Sequence, residues 1–244
     1  MDRLGIVADI HGNLVALETA LTALEGRGVE RFVCLGDVAS GPRPTETLVR
    51  LRALGCPVVM GNADAAVLDP PAAPPVDEDG RRWREIERWG HDRIGAEGLA
   101  FLADFAPTVA LEVGGVRALA CHGTPRSFND VLGSKTPDDD LDAALAGEAA
   151  TIVLAGHTHR QMLRRHRGML LVNPGSVGLP YDPLPPSDDI RNPPWAELAV
   201  LEVAGPDDLA ISFLRIPYDL DRLRADVLAS GMPHAEWLLA DWRA

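Results

Sequence analysis

The sequence predicts an α/β protein. Three observations carry that reading: the first sixty residues alternate apolar runs with amphipathic segments, each apolar run ends on a polar tip, and the later half is dense in short strands with no evident linker. Strand–helix–strand order with short connections implies right-handed crossovers and a parallel sheet, whose functional groups gather beyond the carboxyl ends of the strands.

Each element has its own signal. "RLGIVAD" is a short apolar run with a polar tip, followed by "NLVALETALTALEGRG", whose apolar residues recur at helical spacing behind a capping Asn13. "RFVCLGD" is a second strand, and "PTETLVRLRALG" a helix with Pro near its start and Gly after its end. "PVVMGN" reads as a third strand. Residues 69–80, "DPPAAPPVDEDG", are too rich in Pro and acid to pack a core and form a surface loop.

Helices are expected at 81–95 and 97–105. The first places Trp83, Ile86 and Trp89 at helical spacing, which suits a face packed on the core and, as a second reading, a wall for a substrate. "TVALEV", a Gly-Gly turn and "VRALACHG" form a hairpin. A helix near 138–147 leads to "ATIVLAGHTH", a buried strand with a polar tip. "QMLRRH", "GMLLVNPGS", "AELAVLEV" and "LAISFLRI" are further strands, "PLPPSDDIRNPP" a second Pro-rich loop, and helices at about 218–229 and 233–242 close the chain. The expected organisation is one domain over residues 1–244 with a helical, lid-like insertion around 64–105.

Composition narrows the function. A net charge of −13 argues against a long nucleic acid as partner, since such polyanions are bound through Lys and Arg. It leaves a small phosphate substrate open if a divalent metal supplies the positive charge. Three cysteines without CxxC spacing are neither a disulfide framework nor a zinc–cysteine site and suggest a reducing compartment. "MDRLGIVADIHGN" reaches polar residues too soon for a signal peptide, and no apolar run approaches the roughly 18 residues of a membrane span, so a cytoplasmic location and no membrane partner are expected. The oligomeric state leaves no trace in the sequence.

The chemistry lies in the strand tips: Asp9 and His11, Asp37, Asn62 and Asp64, His122, then His157 and His159. Singly each has an ordinary explanation. Asp9–His11 suits a strand-to-helix turn, "GNAD" a turn, His122 a core histidine, and His157 and His159 a loop. Together they form a set of carboxylate, amide and imidazole groups suited to divalent Mn, Fe, Zn or Ni. Two ions sharing a carboxylate are the arrangement for in-line attack on phosphorus. Two aspartates and two divalent ions also leave the site net positive inside an acidic chain. Arg43, Arg126 and Arg191 read first as solvated loop arginines and second as phosphate contacts; His91, His166 and His234 read as surface residues, Cys121 as buried, and Ser176 as part of a tight turn with no base beside it.

"DIHGN", "GDVASGP", "GNAD", "CHG" and "GHTHR", in that order, resemble the motifs of the calcineurin-like metallophosphoesterases, and "NPGSVGLP" resembles their bacterial phosphodiesterase branch. The resemblance spans roughly residues 4 to 180. It implies a four-layer αββα sandwich of two mixed β-sheets flanked by helices. It assigns Asp9, His11 and His159 to a first metal, Asn62, His122 and His157 to a second, and Asp37 to the bridge between them, with Mn the favoured ion. A metal-bridging hydroxide would attack phosphorus, and His122 or a water would assist the leaving group.

One position departs from the family. Ala63 stands where many members, the Ser/Thr protein phosphatases among them, carry a His that protonates the leaving group or stabilises charge. Asp64 remains as a catalytic candidate, although its role in the family is to orient that His. General-acid help is worth about 10²–10⁴-fold, so its loss disfavours poor leaving groups. The protein-phosphatase "DRG" element is also absent, with "SGP" at 40–42. The expected activity is therefore hydrolysis of small phosphodiesters. The alternatives are a phosphomonoesterase for small substrates and a non-catalytic binding scaffold on the same fold.

Overall fold

The computed structural model describes residues 1–183 and 190–242. Strands β1 (Asp2–Val7) and β2 (Arg31–Cys34) are parallel and joined by helix α1 (Leu14–Glu25); α2 (Pro44–Leu54), α3 (Asn62–Leu68) and α4 (Glu78–Ala103) follow. A hairpin of β3 (Thr108–Val113) and β4 (Val116–Cys121) leads through α5 (Asp138–Ala144) to β5 (Ile152–Leu154), β6 (Gln161–His166) and β7 (Met169–Pro174). The chain ends with β8 (Asp182–Pro183), β9 (Ile190–Arg191), the long hairpin β10 (Trp195–Gly205) and β11 (Asp208–Pro217), α6 (Leu220–Ala229) and α7 (Ala235–Leu239).

Two mixed sheets result, in the orders β11-β10-β1-β2 and β3-β4-β5-β7-β6. Alternation along β1 explains how they stack. Leu4 and Ile6 enter an apolar cluster shared with Ala118, Ala120, Ile152 and Leu154 of the second sheet, while Val7 faces the helices. On that helix side Leu17, Leu21 and Leu24 of α1 are fully buried with Ile86 and Leu102 of α4. Each such leucine contributes about 1.5–3 kcal/mol through its removal from water. A third cluster packs Leu141 and Leu145 of the α5 region onto Cys121, Val153 and Leu171. Three apolar interfaces separate four layers, helix–sheet–sheet–helix, as the motifs implied. No helix among the described residues is long and apolar enough to cross a membrane.

Local signals held well. Asn13 Oδ1 accepts the Ala16 N–H at 3.0 Å and caps α1. The two helices expected at 81–95 and 97–105 are the two parts of α4, which breaks at Gly95, where φ is 63°. Four expectations change. "PVVMGN" is not a full strand: Val58 bridges Cys34 and Val59 bridges Ala106, and the chain then turns into α3. Asn62 to Asp64 are thus the first turn of a helix rather than a loop. The helix expected at 138–147 stops at Ala144. His166 is buried, not on the surface, because α5 brings Asp142 against it, Nε2 to Oδ1 2.8 Å. Of the second Pro-rich loop, 183–194, residues 184–189 lie outside the described residues; β8 and β9 pair at its base.

Candidate metal centre

The strand tips meet at one edge of the two sheets. Seven non-glycine residues among those described have a left-handed backbone: Asp9, His11, Asp37, His157, His159, Arg167 and His234. Five are expected ligands. Such conformations cost on the order of 1–3 kcal/mol each and persist only where surroundings enforce them. Here the tips enforce one another through the backbone. Asp9 N–H donates to Gly36 O at 3.0 Å, His11 N–H to Asp37 O at 2.9 Å, and Gly156 N–H to His122 O at 2.8 Å.

The "NPGS" segment tightens this framework. Ser176 Oγ donates to Asp9 O at 2.7 Å and accepts the Leu179 N–H at 2.8 Å. Asn173 Nδ2 donates to Gly156 O at 2.6 Å and to Thr158 Oγ1 at 3.0 Å, which fixes the loop between His157 and His159. Gly61 is obligatory for a steric reason: a Cβ there would sit 2.1 Å from Asp37 Oδ1.

Two groups of ligand atoms emerge. Asp9, His11, Asp37 and His159 each place one within 4.8 Å of the others, and so do Asp37, His122 and His157. Asp37 belongs to both. Its Oδ2 lies 3.6 Å from His11 Nε2 and 3.4 Å from His122 Nε2, while Asp9 Oδ1 lies 3.4 Å from His159 Nε2. Asn62 Oδ1 joins the second group at 3.0 Å from His122 Nε2. The seven residues expected as metal ligands are thus brought together.

Three imidazoles are held by their far nitrogens. His11 Nδ1 faces Ser40 O at 3.2 Å, His122 Nδ1 faces Leu35 O at 2.6 Å, and His159 Nδ1 faces Leu179 O at 2.6 Å. A carbonyl only accepts, so each Nδ1 carries a proton and each Nε2 is turned to the cluster, the arrangement usual behind metal-binding histidines. Burial pushes the His11, His157 and His159 imidazoles toward their neutral, ligating form. Burial raises the Asp9 carboxyl, with His122 opposing it; burial also opposes ionisation of Asp37, but His122 and His11 hold that carboxyl well below the usual range. Against its own burial, Asp37 and Asp9 lift His122 to about 10. Two buried carboxylates that draw in the nearest cation, ringed by neutral imidazoles, fit divalent metal.

Asp64 stands apart. Its carboxylate is fully buried and accepts the N–H groups of Val38 at 2.8 Å and Ala39 at 3.1 Å, so it ties α3 to the loop after β2 and does not open to the site. The arginines are likewise engaged elsewhere: Arg43 with Asp226 at 3.2 Å, Arg126 with the carbonyls of Ala143 and Ala146, and Arg191 with Asp182 at 2.7 Å. Cys121 is buried, which pushes its thiol up to about 12.

A cavity of about 320 Å3 opens over the cluster. Ala63, Trp83, Glu87 and Tyr181 line it with the ligands. The Trp83 ring lies 6.2 Å from that of His11, and Tyr181 stacks on His159 at 4.3 Å. Ser40 borders the cavity, and its buried Oγ has no hydrogen-bond partner among the described residues. Beyond Tyr181 runs a larger groove of about 500 Å3 bordered by Lys135 and Arg160. Glu87 and Tyr181 carry no motif and escaped the sequence reading. The wall formed by Trp83 did have a signal, its place in the apolar stripe of α4.

Comparison with known proteins agrees with this geometry. A sequence profile of the calcineurin-like phosphoesterase superfamily domain matches residues 3–188, and the chain belongs to that superfamily. An uncharacterized protein of Methanocaldococcus jannaschii is 26% identical over 96% of this chain and 95% of its own length. The crystal structure of a metallophosphoesterase from Sphaerobacter thermophilus superposes with a TM-score of 0.74 at 25% identity, covering 98% of this chain and 97% of its own. A hypothetical protein of Pyrococcus horikoshii shares the fold at a TM-score of 0.79 and 20% identity, with 98% of both chains covered. The class defined by fold, family and donor set is a metal-dependent phosphoesterase.

Proposed function

We propose that this chain is a dinuclear metal-dependent phosphodiesterase acting on small molecules. The observation that carries the proposal is Asp37, a carboxylate common to both ligand groups. Asp9, His11 and His159 would hold one ion, Asn62, His122 and His157 the other, with Asp37 between them and Mn the favoured metal. When bound, the ions supply Lewis acidity to the phosphate oxygens and lower the pKa of water.

The chain's own groups set the rest. Trp83 and Tyr181 form apolar walls that restrict water, and the groove beyond Tyr181 takes the remainder of the substrate. Ala63 contributes no proton, and a diester's single negative charge enters an acidic chain more readily than a monoester dianion, which favours diesters. Asp64 acts as a positioning residue for Asp37 rather than in the chemistry.

The test is hydrolysis of bis(p-nitrophenyl) phosphate and p-nitrophenyl phosphate side by side, with metal stripped and Mn²⁺ restored. Metal-dependent cleavage that favours the diester and disappears in Asp37→Asn supports the proposal. Preference for the monoester overturns the diester assignment, and no cleavage of either with metal bound favours the binding scaffold.

A further inference from the structure

We propose that Glu87 donates the leaving-group proton in this hydrolysis, the part that Ala63 cannot play. The inference rests on the phosphoesterase reading above. Glu87 lies one helical turn beyond Trp83 on α4, so both side chains share the helix face that lines the cavity over Ala63, Asp37 and the histidines. The same cavity thus holds a carboxyl group and the position of the missing histidine.

The other acids in reach are spent. His122 would commit Nε2 to a metal and holds Leu35 O with Nδ1. Asp64 is consumed by backbone N–H groups. Burial pushes the Tyr181 hydroxyl up to about 12, a poor donor near neutrality. Glu87 has no hydrogen bond or salt bridge to another described residue. The charges that reach it are Arg84 and Arg88 on its own helix and Asp37 across the cavity, whose other titratable walls are His11, His157, His159 and Tyr181. Burial first, then Asp37, outweigh the two arginines and hold the carboxyl protonated up to about 7. A group that titrates near working pH is the efficient general acid.

The step balances. The water oxygen–phosphorus bond forms and the bond from phosphorus to the leaving oxygen breaks, its electron pair going to that oxygen. The Glu87 O–H proton passes to the same atom and releases an alcohol. The carboxylate regains its proton from solvent, which has received the one lost by the attacking water.

Metal-loaded wild type, Glu87→Gln and Glu87→Asp are compared on bis(p-nitrophenyl) phosphate, whose leaving group needs no proton, and diphenyl phosphate, whose leaving group does. In Glu87→Gln the ratio of kcat on diphenyl phosphate to kcat on the nitrophenyl ester falls by about 10²–10⁴-fold. The wild-type fall in diphenyl phosphate turnover at alkaline pH, where the carboxyl is ionised, disappears with it. Glu87→Asp recovers part of the ratio, and metal content matches wild type. An unchanged ratio, or an equal loss on both esters with lost metal, overturns the inference while leaving the phosphoesterase reading intact. Wild type inactive on both overturns that reading and this inference with it.

Discussion

The backbone N–H of Ala63 donates to Asp37 Oδ1 at 2.8 Å. Position 63 therefore serves the site through its main chain: it fixes one oxygen of the shared carboxylate and leaves Oδ2 to face His11 and His122. The side chain is free to vary because it lines the cavity rather than the metal cluster.

That freedom is testable by Ala63→His. The imidazole would project into the cavity and offer a proton there. The expected outcome is a rise in turnover of diphenyl phosphate relative to bis(p-nitrophenyl) phosphate, and restoration of diphenyl phosphate cleavage when combined with Glu87→Gln. Steady-state kinetics on the two esters checks it; an unaltered ratio would show that position 63 does not reach the leaving group.

Asn173 touches no ligand atom, yet it holds Gly156 O and Thr158 Oγ1 on either side of His157. Asn173→Ala is expected to weaken metal affinity by about 10–100-fold, the usual cost of losing an outer partner of a metal site. Isothermal titration with Mn²⁺ measures it. Affinity equal to wild type would mean that the His157 loop keeps its shape without the amide.

The elevated Glu87 carboxyl predicts a stability slope. The group is protonated up to about 7 in the fold, against 4.5 ordinarily. Its raised pKa means that the native chain holds a proton the unfolded chain has already released, so stability falls as pH rises through this window and is level above it. Glu87→Gln mimics the neutral form. Its melting temperature, measured by calorimetry on the metal-stripped protein, should exceed wild type by more at pH 8 than at pH 4. Equal differences at both values would place Glu87 in a solvated setting.

The candidate site was largely legible in the sequence because most of the expected ligands sit in short motifs at the end of an apolar strand, and a parallel α/β sheet collects its strand tips by construction. Asp9, His11, Asp37, His157 and His159 also need left-handed backbones, which tie these polar residues to chain reversals. Glu87 and Tyr181 were not legible. They reach the cavity through the packing of α4 and of the segment after "NPGS", and nothing local distinguishes them from a solvated acid or a core aromatic. "PVVMGN" misled for a similar reason: its apolar residues suit a strand, but Gly61 and Asn62 are taken by the start of α3 after only isolated bridges. Asp64 looked catalytic by position, and only the backbone amides of Val38 and Ala39 show what its carboxylate does.

The central claim is that Asp37 is shared between two ions. Metal analysis of the Mn²⁺-loaded chain, with electron paramagnetic resonance on the same sample, tests it most directly. The account predicts two Mn²⁺ per chain with an exchange-coupled spectrum, and loss of that coupling in Asp37→Ala. One Mn²⁺ per chain at saturation, with the spectrum of an isolated ion, would contradict it.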